Sequence, residues 1–123
     1  MTTVTGRAEE IVAALKTGTG KPATADVKKA GGLLPCYLVI PIPAYAFHTD
    51  LDGGSSLTWT VYAITRGPGN LAAAKALEQL VVLAAGVLDF ETAEPTSYKL
   101  PAGTDPFPAY SISWSEDLEV STS

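Results

Sequence analysis

The stretch Leu57-Thr58-Trp59-Thr60-Val61-Tyr62-Ala63 alternates apolar side chains with hydroxyl-bearing ones. Period two sends Leu57, Trp59, Val61 and Ala63 to one side of an extended chain and Thr58, Thr60 and Tyr62 to the other, which predicts a strand with one face buried. Arg66-Gly67-Pro68-Gly69 stops it, and Asn70 follows as a candidate N-cap. Beyond Asn70, residues Leu71, Ala74, Leu77, Val81, Ala84 and Leu88 recur at helical spacing, so a core helix is expected to lie directly after the strand.

Upstream, residues 34–42 (LPCYLVIPI) form a nearly continuous apolar run. Such a run suits a strand covered on both faces, and Pro35 and Pro41 confine it to an edge or to a short paired core. Residues 6–17 predict an amphipathic helix, with Thr5 as N-cap, Ala8, Ile11, Val12 and Leu15 inward, and Gly18 at the C-cap. Two loops are expected. Residues 17–32 are rich in Gly, Thr and Lys, and residues 44–56 contain the turn-forming Asp50-Leu51-Asp52-Gly53-Gly54.

Downstream, a weak strand is expected near residues 96–100 and a stronger one near 108–114, where Tyr110, Ile112 and Trp114 share a face. Residues 101–106 join them as a hairpin loop. The predicted order is helix, strand, strand, helix, strand, strand. It describes a small α+β domain: a mostly antiparallel sheet with two helices packed on one face and long loops left for interfaces. At 123 residues the chain supports one such core, residues 1–123, and no repeat divides it.

The composition, 46% hydrophobic and 17% charged, is that of a chain that folds. No apolar run approaches the roughly 18 residues of a membrane span. Nothing at the N-terminus marks the chain for secretion, so cytoplasmic synthesis is expected. A net charge of −5 argues against a protein whose main affinity is for nucleic acid. The charge is unevenly spread. Residues 1–40 hold five cations (Arg7, Lys16, Lys21, Lys28, Lys29) and three anions, and the remainder three cations and ten anions, giving +2 and −7. Opposed patches of this kind can draw one subunit onto the next head to tail, although solvated asymmetry without a partner is equally common.

Catalytic readings are poorly supplied. His48 is the only histidine and Cys36 the only cysteine. His48, Asp50 and Asp52 resemble a metal clip in spacing, but two carboxylates and one imidazole fall short of the ligand count that zinc or a hard cation requires. The turn before Asn70 lacks the G-x-x-x-x-G-K-[ST] pattern of a phosphate loop. Glu91 and Glu94 have nothing nearby to separate their pKa values. No catalytic, metal or cofactor site is expected, and the chain is not expected to be an enzyme. The aromatics Tyr45, Phe47, Phe107 and Tyr110 lie beside Gly- and Pro-rich segments. Aromatics so placed fit a lid on the core and an oligomer interface equally well; together with Asp50 and Asp52 they are the candidate oligomer and partner interface, since interface centres are enriched in aromatic residues.

Residues 33–43 (LLPCYLVIPIP) resemble the first strand of the tail-terminator proteins of long-tailed bacteriophages, which carry a Pro-Pro-Cys or similar start, an apolar strand and a proline exit. Leu34 stands here where a second proline is common. Residues 59–64 (WTVYAI), the turn Pro68-Gly69-Asn70, the Ala- and Leu-rich helix 71–82 and the closing 110–114 (YSISW) are similar in order and texture to that family. The resemblance implies a virion structural protein: a ring, usually of six subunits, at the head-proximal end of the tail. Such a ring stacks on the tail tube protein, halts its polymerisation and docks the head-tail connector, or stopper, protein. DNA would pass through its channel without specific binding, and no membrane is involved. The alternatives are another head-tail joining or neck protein and, from a different class, a small α+β ligand-binding or enzyme subunit. The Gly, Lys and Asp content of residues 17–32 and 43–55, together with Tyr45 and Phe47 that no predicted element covers, adds the expectation that both loops become ordered only on assembly.

Overall fold

The computed structural model describes residues 4–47, 55–66, 70–99 and 106–117. Along the chain run α1 (Val4–Thr19), β1 (Ala23–Thr24), α2 (Val27–Ala30), β2 (Cys36–Val39), β3 (Ala44–Phe47), β4 (Ser55–Ile64), α3 (Leu71–Ala85), β5 (Thr92–Tyr98) and β6 (Phe107–Asp117). The fold is α+β, built on a six-stranded sheet in the order β1-β2-β4-β6-β5, with β3 also paired to β4. Only the β1–β2 pair is parallel; the other pairs are antiparallel.

The alternation in residues 57–63 does what its period requires. Leu57, Trp59, Val61 and Ala63 are buried, and they meet Ile112 and Trp114 of β6 on one face. Trp59 is directly opposite Trp114, and Val61 opposite Ile112. Ala8, Ile11 and Leu15 of α1 and Leu77, Leu80 and Ala84 of α3 close over this face. Removing each large apolar side chain from water there contributes roughly 1.5–3 kcal/mol. The opposite face carries a smaller core, made by Ala30 of α2 with Leu34, Cys36, Leu38, Ile64 and Ala109.

β2 is as short as its prolines demand. It is buried at every position, and pairing with β4 ends where Ile40 N–H donates to Thr60 O at 3.1 Å. Pro41 and Pro43 have no N–H to give the ladder. The chain therefore leaves β4 and rejoins it at Ala44, opposite Thr58. β2 and β3 thus lie on the same side of β4, separated by a Pro-Ile-Pro break.

Several expectations are corrected here. Residues 17–32, expected as a loop, finish α1 and supply β1 and α2. Small residues make this possible, because Ala23 and Ala30 are buried against the sheet's cores. The Asp26 carboxylate accepts from Lys28 N–H at 2.9 Å and the Thr24 hydroxyl from Asp26 N–H at 3.0 Å, while Tyr37 N–H donates to Pro22 O at 3.0 Å. Residues 44–47, expected in a loop, form β3. Gly18 lies within α1, and the left-handed residue that follows the helix is Gly20, at φ 70°. Thr5 likewise lies inside α1. β5 begins at Thr92, earlier than the expected 96.

Asn70 caps α3 as expected, its side chain accepting from Ala73 N–H at 3.0 Å. The buried stripe of that helix is Ala73, Leu77, Leu80 and Ala84. Leu71 and Ala74 face outward instead. The helix is apolar around most of its circumference, so spacing alone did not fix which side meets the sheet.

Candidate assembly surfaces

The residues singled out from the sequence do not form one patch. Tyr45 lies on β3, 47% exposed and opposite Leu57. Phe47 closes β3, opposite Ser55. Asp50 and Asp52, and with them His48, lie outside the described residues. Phe107 and Tyr110 are on β6, where Phe107 faces Tyr98 of β5, and Tyr110 faces Ala63 on one side and Pro95 on the other. Measured along β4, the steps from Leu57 to Ala63 separate Tyr45 from Tyr110 by roughly 20 Å.

The β6 aromatics have local duties. Phe107 and Tyr98 pack against the smaller core, and the Tyr98 and Tyr62 rings lie 4.7 Å apart at 50°. Tyr110 packs against the main core. Both are half-buried and serve as lids over apolar side chains.

Exposed apolar surface lies elsewhere. Ile42, in the Pro-Ile-Pro break just before β3, is 78% exposed. On α3, Leu71 and Val82 are 71% and 64% exposed. Their separation of eleven residues is close to three helical turns, so both lie on the outer side of the helix. The signal for Ile42 was in the sequence, since an isoleucine between two prolines cannot enter a ladder. The signal for Leu71 and Val82 was hidden by the uniform apolarity of the helix.

Three edges of the sheet have no further strand beside them among the described residues: those of β1, β3 and β5. β5 is largely exposed and carries Pro95 at its centre. A proline there removes a donor from the outermost row and discourages indiscriminate pairing. The third boundary, at β1, is two residues long and opens on a cleft of about 360 Å³ between α1 and β1. Glu9, Val12, Lys16, Ala23, Ala25 and Asp26 line this cleft.

Polar chemistry gathers where α1 meets the end of β6. Arg7 Nε and Nη2 donate to Glu116 at 3.1 and 2.6 Å, and Trp114 Nε1 donates to the same carboxylate at 3.0 Å. Burial by itself would raise the Glu116 pKa, but the hydrogen bonds from Arg7 and Trp114 and the Arg7 charge bring it below the ordinary value. The Arg7 guanidinium is held in its charged form chiefly by the same hydrogen bond. Trp59 Nε1 is buried without a hydrogen-bond partner, though its indole is near enough to help lower the Glu116 pKa. Arg7 ties α1 to the sheet through Glu116, and Trp114 steadies that carboxylate from within β6.

Cys36 is fully buried, and burial pushes its thiol up to about 11. A thiol so placed is a packing element and not a nucleophile at neutral pH. Among the described residues no three His, Cys, Asp or Glu side chains come together as a metal site, and no helix is long and apolar enough to cross a membrane. No family model matches the chain, and no curated protein or solved structure shows significant similarity to it.

Proposed function

We propose that this chain is a structural subunit that assembles with copies of itself into a ring on the end of a phage tail tube, in the manner of a tail terminator. The ring would stop tube growth, present a docking surface to the connector and let DNA pass without specific contacts. The observation that carries the reading is the pairing of a completed core with open sheet edges bearing large apolar side chains. Ile42 lies just before β3 and Tyr45 on it, and they are exposed although both cores are already closed. Exposed apolar groups at an unpaired edge favour association with another chain. The order of strand, turn and Ala-rich helix, on which the resemblance to tail terminators rests, supports the particular assignment.

Electron microscopy of the purified protein tests the ring, and a phage lacking the gene tests the role. Rings of uniform size, with mutant tails of uncontrolled length that fail to join heads, are expected. Mutant tails of normal length joined normally to capsids would overturn the assignment.

A further inference from the structure

The uneven charge of the sequence becomes an uneven charge across the sheet. The register aligns Thr24, Leu38, Tyr62, Ser111 and Glu94 in one row running from β1 through β2, β4 and β6 to β5. At the β1 end of this row lie Lys21, just before β1, and Lys28 and Lys29 on α2, which covers the face shared by Leu38 and Ile64. At the β5 end Glu94 lies on the same face, with Glu91 and Asp89 just before the strand. Four interstrand steps of about 4.8 Å separate the two ends, roughly 19 Å. The cations therefore lie on the β1–α2 side of the subunit and the anions on the β5 side, with Glu94 in the same row as Thr24.

Of these side chains, that of Glu91 is engaged inside the fold, its carboxylate accepting from Ser115 N–H at 2.8 Å. Lys28, Lys29, Asp89, Glu91 and Glu94 are exposed. None of them forms an ion pair with another described residue, the ion pairs there being those of Arg7 with Glu10 and Glu116. Each edge also carries charge of the other sign. Asp26 is occupied as the cap of α2, and Lys99 follows the far end of β5.

We infer that neighbouring subunits meet head to tail, the Lys21, Lys28 and Lys29 edge of one copy facing the Asp89, Glu91 and Glu94 edge of the next. This rests on the ring reading and specifies its contact. The occupant is a second copy because one chain supplies both signs, on sides that cannot meet within a monomer. Self-complementary surfaces on different sides of a subunit produce a heterologous contact, which closes into a ring when the rotation per subunit permits. The α1–β1 cleft at this end adds Val12, Ala23 and Ala25 as apolar lining, beside Glu9, Lys16 and Asp26. Exposed charges of this kind direct approach and register, and they act over a Debye length of about 8–10 Å in physiological salt.

The test uses sedimentation velocity of the full chain at low and high salt, with two double variants: Lys28→Glu with Lys29→Glu, and Asp89→Lys with Glu94→Lys. All four positions are exposed, and melting temperatures check that both variants fold. Wild-type assembly should weaken with salt, and each variant alone should associate about ten-fold more weakly or worse, since like charges then face each other. An equimolar mixture should assemble again, because every contact in an alternating ring is once more between opposite charges. Variants that assemble like the wild type, or a mixture that stays dissociated, would overturn this contact and leave the ring reading standing. A wild-type protein that stays monomeric at every concentration would overturn both.

Discussion

Arg7 holds the Glu116 carboxylate through two guanidinium nitrogens, at 3.1 Å from Nε and 2.6 Å from Nη2, fastening α1 to the last strand across 109 positions of sequence. The Glu116 pKa lies below its ordinary 4.5. The stabilisation it contributes is therefore complete above that value and is lost as pH falls through the lower, folded-state pKa. Because both partners are partly solvated, Glu116→Gln is expected to cost about 1 kcal/mol at pH 7. The gap between variant and wild type should close on acidification below pH 4. Urea titrations at pH 7 and pH 3 check this, and a gap that is constant with pH would show that the pair contributes through packing alone.

At the alkaline end the sign reverses. Burial raises the Tyr37 phenol from 10.0 to about 12 and the Cys36 thiol from 9.0 to about 11. The folded state holds both protons more tightly than the unfolded one, so stability is present below the ordinary values and declines as pH climbs through the raised ones. Thermal melts from pH 8 upward should fall steeply. Tyr37→Phe should flatten the fall between about pH 10 and 12, at a cost near neutrality of roughly 0.5–1.5 kcal/mol for the bond to Leu80 O. A decline as steep in the variant as in the wild type would show that Tyr37 is not its source.

Leu77 and Leu71 separate the observed face of α3 from the one that spacing predicts. Leu77 is 5% exposed and Leu71 is 71% exposed. Leu77→Ala should cost roughly 2–5 kcal/mol, and Leu71→Ala should stay within about half a kcal/mol. Equal losses at the two sites in denaturant titration would mean that Leu71 also meets the core.

That helix shows where sequence reading succeeds and where it stops. Residues 57–63 were legible because a hydroxyl at every second position leaves only one way to bury Trp59 and Val61. Asn70 was legible because an orphan N–H at a helix start needs an acceptor. In α3 the alanines and leucines surround the axis, and only the contact with β4 and β6 chooses a side. Residues 17–32 were misread because glycine, threonine and lysine usually mark loops. The order there comes from small side chains and local caps, Ala23, Ala30 and Asp26, which carry little hydrophobic signal. Of the candidate interface residues, Tyr45 is exposed, while Phe107 and Tyr110 lie over the two cores, a choice between lid and open surface that the sequence leaves even.

Gly18 was read as a helix terminus, and its neighbour in space explains why it is a glycine. A Cβ there would lie 2.4 Å from Val87 Cγ2. Val87 is β-branched and partly buried, so it cannot swing aside freely. Gly18→Ala would gain up to about 1 kcal/mol of helix propensity, and the clash should outweigh this by roughly 1–3 kcal/mol. Adding Val87→Ala should recover much of the loss, giving a favourable coupling in a double-mutant cycle. A Gly18→Ala protein more stable than wild type would show that α1 can shift away from Val87.

Ile42 distinguishes a residue kept for assembly from one kept for folding. It sits between two prolines at the break between β2 and β3, is 78% exposed, and belongs to neither core. Ile42→Ser should therefore leave the denaturation midpoint within the half kcal/mol typical of surface changes. If the open β3 edge lies in a contact between copies, the same substitution removes apolar area from that contact, and association should weaken about ten-fold, since burying a side chain of this size is worth roughly 1.5–3 kcal/mol. Concentration-dependent sedimentation alongside urea titration reads both quantities on the same preparations. A loss of stability with unchanged association would place Ile42 in the fold, whereas loss of association alone would put the β3 edge at the subunit boundary.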